Sequence, residues 1–230
     1  MSPTTSTLQA SLRECRMVLE RLVLIERLDP GLTPAVRDCA LFSAFHRRGF
    51  DHVRPTIESL RATVGRPPIL REHADRLEVD CGGAHAWLVA EALTDLAVDL
   101  FRRGRPATVE ASNIVASDEL AVIPYLGEAH RLEVHVEGPR LSVVGGRVPT
   151  SLDQIRREGI SVEREVWWSL FLRANDALAP DSFESRRHAG PIMVDAEGRV
   201  IGRADEDETD FNLLAEPALL AAGLKLPNGG

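Results

Sequence analysis

Asp80-Cys81-Gly82-Gly83-Ala84-His85-Ala86-Trp87 is the stretch around which the rest of the chain is arranged. Before it, residues 77–80 alternate between apolar and polar side chains, which predicts a short strand. After it, apolar residues recur at helical spacing over residues 85–103 and acidic residues follow the opposite stripe. The sequence therefore predicts a strand-to-helix turn at residues 81–83 and a long central helix that ends at Gly104.

A helix that begins directly after two glycines exposes backbone amides and the positive end of its dipole, and such ends bind anions. In the functional interpretation, a carboxylate or phosphate docks on Gly82 and Gly83, and His85 serves as acid or base. In the simpler interpretation, the glycines only permit a tight turn and His85 is an ordinary first-turn residue. The stretch is neither a phosphate loop nor a full dinucleotide fingerprint.

Cys81 is a second candidate at the same helix start, because a helix dipole lowers the pKa of a thiol and makes it nucleophilic. Cys81 and His85 are four residues apart and would both reach one metal ion if the turn allowed it. No paired ligand spacing supports a metal site, so the sequence predicts none.

Composition restricts the class of protein. The chain has 230 residues, 44% of them hydrophobic, which is enough for a substantial core. Its net charge of −8 argues against nucleic acid and anionic membranes as partners. Three widely spaced cysteines form no disulfide framework, and the sequence shows neither a signal pattern nor an apolar run of membrane-spanning length. We expect a cytoplasmic protein.

The residues before the central stretch read as helical. Leu8, Leu12, Cys15, Leu19 and Leu22 form one apolar seam of a helix that runs to about residue 28, with Ser6 and Gln9 as its capping box. A second helix begins at Thr33-Pro34 and ends at Gly49, and a third covers about residues 51–64. The seam faces either the interior of the protomer or a dimer partner.

The residues after the central helix predict a strand, a helix and two hairpins. Residues 107–115 form the strand, and residues 117–130 form a helix that Pro124 divides or kinks. The first hairpin covers residues 132–144 and the second covers residues 192–202. Between them a helix begins at Ser161, preceded by a shorter one near residues 152–157. Residues 205–210 are mostly acidic and predict a solvated loop, and residues 213–224 predict a last helix.

Arg186, Arg187 and His188 form the most arginine-dense segment of the second half. Two neighbouring guanidinium groups can clamp a carboxylate of a substrate, and His188 can titrate beside it. The simpler interpretation is a helix C-terminus whose positive side chains answer the dipole, with Gly190 as its end. We expect the adjacent pair Trp167-Trp168 to divide, with one ring in the core and one at an interface or pocket rim.

Two resemblances follow from quoted motifs. The helical front that ends at Arg47-Arg48-Gly49, the Gly-Gly helix start, the helix with Pro124 and the segment Glu184-Ser185-Arg186 resemble a bacterial family of similar length, a domain of unknown function. That resemblance implies no activity. The segment Arg48-Gly49-Phe50-Asp51-His52 is similar to the N-terminal segment of the malate/L-lactate dehydrogenase superfamily, although the serine of that motif is missing. This similarity implies an acid/base role for His52 and an NAD(P)-dependent oxidoreductase ancestry.

Together these patterns predict an α+β fold. One compact domain covers residues 1–230, with a helical subregion at 1–78, a strand-helix-hairpin core at 79–146 and a helix plus hairpin at 160–226. The mixed sheet is built from residues 106–144 and 192–202. The preferred function is a small-molecule enzyme that acts on an anionic, carboxylate-bearing metabolite, with no particular cofactor predicted. The alternatives are a non-catalytic partner subunit or homo-oligomer that binds through the N-terminal seam or the Trp pair, and a degenerate malate/lactate-type oxidoreductase.

Overall fold

The computed structural model describes residues 6–146 and 151–178, together with the two strands at Ile192–Val194 and Val200–Gly202. It divides the chain into two compact units, Met1–Leu178 and Ala179–Gly230. This division differs from the single domain that the sequence predicts. The predicted segment Arg186–His188, the acidic run at residues 205–210 and the last helix lie outside the described residues.

The first unit combines helices with a mixed sheet, so the fold class is α+β as predicted. Its helices are α1 Leu12–Ile25, α2 Thr33–Arg47, α3 Val53–Leu60, α4 Ala86–Arg102, α5 Ile123–Gly127, α6 Ser151–Glu158 and α7 Arg164–Ala174. Its strands are β1 Thr7–Ala10, β2 Ile69–Glu72, β3 Leu77–His85, β4 Thr108–Val115, β5 Val134–Glu137, β6 Arg140–Val143 and β7 Ile160–Glu163.

The main sheet has the strand order β2-β3-β4-β6-β5. Only β3 and β4 pair in parallel, because α4 connects them and returns the chain to the same end of the sheet. Leu77, Val79 and Cys81 alternate with polar residues along β3 and are buried, as expected of a strand with one covered face. The face that they share packs against α4, whose Trp87 is fully buried at the centre of the core.

Several local predictions are confirmed. The hairpin of residues 132–144 forms as β5 and β6. Pro124 divides the predicted helix into a 3₁₀ segment at Ser117–Val122, α5, and a second 3₁₀ segment at Glu128–His130. Cys15, Leu19 and Leu22 of the predicted seam are buried inside the unit, where α1 packs against α2 and α7.

The strand-to-helix turn predicted at residues 81–83 is wrong, because β3 continues through both glycines to His85. The pairing of β3 with β4 shifts register between Asp80 and Ala84, which marks a bulge. Gly82 has a φ of +67°, and a Cβ there would collide with the backbone carbonyl of Arg66. Gly82 is thus required by a bulge and a close backbone approach, rather than by a helix start.

Two further boundaries were predicted wrongly. Residues 7–10 were assigned to the first helix and Ser161 to the start of another, yet β1 and β7 pair with each other antiparallel. Helix α1 begins only after Ser11, whose hydroxyl accepts the amide of Glu14 at 3.3 Å. The Glu14 carboxylate accepts the Ser11 amide at 2.9 Å, so this pair forms the capping box instead of Ser6 and Gln9.

In the second unit, β8 Ile192–Val194 and β9 Val200–Gly202 form the predicted hairpin. Their pairing is with each other, in a separate two-stranded sheet. The prediction that residues 192–202 join the sheet of residues 106–144 is therefore wrong. The strands that join that sheet are β2 and β3, whose hairpin lies before the central helix.

Candidate functional site

The start of α4 is occupied by a side chain of the protein. His85 is the N-cap residue, and its Nδ1 accepts the backbone amide of Trp87 at 3.1 Å. Because Nδ1 accepts a hydrogen bond, the neutral imidazole carries its proton on Nε2. His85 is only 4% exposed, and burial lowers its pKa although Glu119 and Asp118 act in the opposite direction. The imidazole therefore caps the helix, which leaves less of the helix start for a bound anion.

The first of the two glycines before this helix also has a partner for its amide in the protein. The amide of Gly82 donates to Oδ1 of Asp80 at 2.9 Å, and the Asn113 side chain donates to the same oxygen at 3.1 Å. Arg66 pairs with the other oxygen of Asp80 at 2.6 Å. A carboxylate of the protein therefore already takes the amide of Gly82, one of the two glycines predicted to bind an anion.

Cys81 faces the core. It is buried, and its Sγ lies 3.8 Å from the carbonyl oxygen of Val79. Burial and the neighbouring Asp80 raise the pKa of Cys81 to about 11, whereas the sequence analysis expected the helix start to lower it. A thiol with that pKa carries almost no thiolate at neutral pH, so the geometry does not favour Cys81 as a nucleophile.

His52 belongs to a buried hydrogen-bond network centred on Glu119. Its Nε2 lies 2.8 Å from Oγ of Ser43, and this hydroxyl donates to Oε2 of Glu119 at 2.7 Å. The indole of Trp87 donates to the same carboxylate oxygen at 3.0 Å, and Arg47 donates to the other oxygen at 2.5 Å. Burial is the main cause that lowers the pKa of His52, and Arg47 adds to it.

Ser43, His52 and Glu119 are not connected in the order that would activate a serine nucleophile. In a catalytic triad the imidazole lies between the serine and the acid. Here Ser43 lies between His52 and Glu119, so the carboxylate does not orient the imidazole. The network connects α2, the Ser117–Val122 segment and α4, and it satisfies polar groups that the core would otherwise leave without partners.

The structure brings His52 and His85 to the same side chain. Their rings contact Trp87 edge to face, with centroid distances of 6.4 Å for His52 and 5.7 Å for His85. None of the larger cavities found in the first unit is lined by either histidine. The two histidines therefore meet because they pack against the same indole, and they do not line a shared cavity. The third part of the predicted site, Arg186–His188, lies outside the described residues.

A cavity of about 570 Å³ lies elsewhere in the first unit, between α1, α2, α4, α5 and α6. Phe42 and Tyr125 stack in its wall with ring centroids 5.5 Å apart, and Leu126 and Leu152 extend the apolar part. Its charged lining is of both signs and comprises Arg16, Asp38, Glu91, Glu128, His130, Arg131, Asp153 and Arg156.

Some charged side chains of this cavity already bind other groups of the protein, and others do not. Arg156 binds Asp153 at 2.9 Å, and Glu128 accepts the first amides of α6. Nε of Arg16 is buried and has no hydrogen-bond partner among the described residues, since the nearest carboxylate oxygen, on Asp38, is 3.6 Å away. His130 lies 3.1 Å from Asp95 through its Nε2.

Sequence analysis missed this cavity because its wall comes from five separate segments. Arg16, Asp38 and Glu91 lie on three helices that are far apart in the chain, and no motif joins them. The one local signal is the polar run from Glu128 to Arg131 that follows Pro124 and Tyr125. From the sequence, His130 is predicted only to end a helix.

Among residues 6–146 and 151–178, no group of three or more His, Cys, Asp or Glu side chains is arranged to hold a metal ion. None of the helices described above combines the length and the apolar character that crossing a bilayer requires. Comparison with family models, with curated proteins and with solved structures gives no significant match to this chain.

Proposed function

We propose that the protein binds a small carboxylate-bearing metabolite in the cavity between α1, α2, α4, α5 and α6, with His130 as a proton-transfer group. The observation that supports this proposal is a volume of about 570 Å³ whose lining includes Arg16, Arg131 and Arg156. Sites for small molecules usually enclose roughly 300–1,000 Å³ and combine an apolar lining with a few polar groups. The carboxylate class is the one that the sequence analysis favours, now placed at different residues.

Arginine is the side chain best suited to hold such a ligand. The guanidinium group offers five N–H donors in a planar fork that matches the two oxygens of a carboxylate. Arg16 is the strongest candidate, because its nearest protein carboxylate oxygen lies 3.6 Å away from Nε, beyond a normal hydrogen bond. Its guanidinium group therefore retains donors for a ligand.

His130 takes the acid/base role that the sequence analysis gave to His52 or His85. Its side chain lines the cavity, and its Nε2 lies 3.1 Å from a carboxylate oxygen of Asp95. A carboxylate that contacts one ring nitrogen fixes the orientation of the imidazole. The other nitrogen is then available for a proton of the ligand.

A binding screen tests the proposal. Organic acids are added to the purified protein, the melting temperature is measured, and the acids that raise it are titrated by calorimetry. Arg16→Met should weaken their binding about tenfold or more, because hydrogen bonds to charged groups contribute roughly 1.5–3 kcal/mol. Arg13→Met is the matched control, since Arg13 is exposed on the same helix and does not line the cavity. The proposal fails if no carboxylate binds, or if both variants bind equally.

The chemical role of His130 has its own test. Each acid that binds is incubated with the wild-type protein and with His130→Asn, and the mixture is followed by nuclear magnetic resonance. We expect conversion or proton exchange of the ligand with the wild type only, while both proteins bind it. His135→Asn is the control, because His135 is exposed, contacts Glu133 and does not line the cavity. An unchanged ligand with both proteins would leave a binding protein without catalysis, and equal conversion by both would refute the role of His130.

The alternative of a partner subunit is favoured by one observation on α7. The predicted division of the Trp pair is confirmed in the core, where Trp167 is buried against Phe50, and Trp168 is 47% exposed. Leu172 is 63% exposed four residues later on the same helix face. If this face binds a second copy, light scattering should show a dimer that Trp168→Ser together with Leu172→Ser dissociates. A monomeric wild type would count against self-association.

A further inference from the structure

Opposite charges lie next to one another in the wall of the cavity. Asp38 lies 3.6 Å from Arg16 and also accepts a hydrogen bond from Arg37 at 2.8 Å. Glu91 lines the same cavity from α4. A ligand that contacts Arg16 with a carboxylate is thereby brought close to acidic side chains, and a carboxylate without a neighbouring positive charge would meet repulsion there.

The lining acid Glu128 has no ion pair but accepts the first amides of α6, whereas Glu91 has no such partner among the described residues. Among the described residues, no Arg, Lys or His nitrogen lies within salt-bridge distance of its carboxyl group. Glu91 is exposed, yet its partial desolvation raises its pKa, and the charges of Asp95 and Asp38 raise it further, while His130 and Arg37 act in the opposite direction. Several acidic side chains thus lie near Glu91, and they favour the binding of a cation beside it.

We infer that the ligand is an α-amino acid with an apolar side chain, which rests on the proposed function of the cavity. In an α-amino acid the ammonium and carboxylate groups are attached to one carbon, so they require an acid and a guanidinium group side by side. Arg16 takes the carboxylate, and Glu91 with Asp38 takes the ammonium group. The side chain of the ligand lies against the stacked rings of Phe42 and Tyr125.

The aromatic and leucine part of the wall supports an apolar side chain. Phe42, Tyr125, Leu126 and Leu152 are the apolar members of the lining. A volume of about 570 Å³ admits leucine or phenylalanine with water beside the head group. A second charge at the end of the ligand would lie against this apolar wall without a partner, which costs free energy.

Two matched sets of ligands test the inference by isothermal titration calorimetry. The first set is leucine, 4-methylpentanoate, which lacks the ammonium group, and 3-methylbutylamine, which lacks the carboxylate. The second set is phenylalanine, 3-phenylpropanoate and phenethylamine. We expect the amino acid of at least one set to bind at least tenfold more tightly than both of its analogues, because each analogue leaves one charged group of the protein without its partner.

Variants assign the two ends of the ligand. Glu91→Gln should weaken binding of the amino acid at least fivefold and leave the affinity for its deaminated analogue unchanged or higher, because the substitution removes negative charge from the ammonium end. Asp99→Asn is the matched control on the same helix, outside the cavity. Arg16→Met should weaken binding of both ligands. Circular dichroism melting of each variant establishes that it is folded.

The outcomes separate the two proposals. If the deaminated acid binds as tightly as the amino acid, or if Glu91→Gln weakens both equally, the inference is overturned and the carboxylate function stands. If the amine of each set binds most tightly, both proposals are overturned. If no member of either set binds while other organic acids do, the inference alone falls.

Discussion

Replacement of Glu119 by alanine should destabilise the first unit strongly, because three parts of the fold meet at this carboxylate. Glu119 is 6% exposed and accepts hydrogen bonds from Ser43 of α2, Trp87 of α4 and Arg47. The substitution removes both acceptor oxygens at once. The three donors are then left to find other partners or to remain without one.

The magnitude follows from what each donor can still reach. The Trp87 indole N–H is buried and has no other acceptor among the described residues, so leaving it without a partner lowers the free energy of unfolding by roughly 1–3 kcal/mol. Ser43 can turn its proton to His52, and Arg47 is 41% exposed and keeps Asp118, so each loses little, roughly 0–1 kcal/mol. The space vacated by the side chain adds about 1 kcal/mol. The expected loss is about 2–6 kcal/mol, a large part of the roughly 5–15 kcal/mol typical of a folded protein.

Urea unfolding followed by circular dichroism measures this loss, with the denaturant slope compared between variants. Asp118→Ala is the control, because Asp118 is 73% exposed and contacts the same arginine, and its removal should cost at most about 1 kcal/mol. A double-mutant cycle of Ser43→Ala and Glu119→Ala should give a coupling of at least about 0.5 kcal/mol. Equal unfolding midpoints for Glu119→Ala and Asp118→Ala would refute the account of the network.

Three further predictions concern the central stretch. His85→Ala should lower stability by at least about 1 kcal/mol, because α4 loses its cap, and His85→Asn should recover part of this loss in the same urea assay. The pKa values of His85 and His52 are both lowered from the ordinary 6.5, so the unfolded chain binds more protons just below that pH. The unfolding free energy should therefore fall as pH is lowered from 7 through 6.5 and level off below the folded-state pKa values, which urea titrations across pH 5–8 would show. Gly82→Ala should destabilise more than Gly104→Ala by differential scanning calorimetry, since both glycines have a φ of +67° but only Gly82 faces the backbone of Arg66.

The parts of the fold that sequence predicts well are those fixed by a few adjacent residues. Thr33-Pro34 marks the start of α2, and Pro124 divides the segment that follows β4, because proline acts on its own backbone and on the preceding turn. The hairpin of β5 and β6 follows from two alternating runs around Gly138-Pro139. Each of these signals is complete within a few residues, so no distant part of the chain can reverse it.

The parts that sequence does not predict depend on partners far along the chain. Residues 7–10 carry the same apolar spacing as the helix that follows, yet they form β1 because β7, about 150 residues later, offers its backbone groups. Gly82 and Gly83 resemble a helix start, and only the approach of Arg66 and the pairing with β4 show that they form a bulge. The cavity is even harder to predict from the sequence, because five segments contribute to its wall.

His85 is buried and His52 is half-buried for the same reason that they drew attention. His85 and His52 each precede an apolar helical face, which made them look like reactive groups at helix starts. The same apolar faces form the core, so both imidazoles are enclosed with Trp87 and used for capping and hydrogen bonding. His130 follows a short helix whose neighbours are polar, and such a position stays at the wall of the cavity where a ligand can reach it. In this fold, an imidazole next to strong apolar periodicity stabilises the protein, and one at the polar end of an interrupted helix is the better candidate for chemistry.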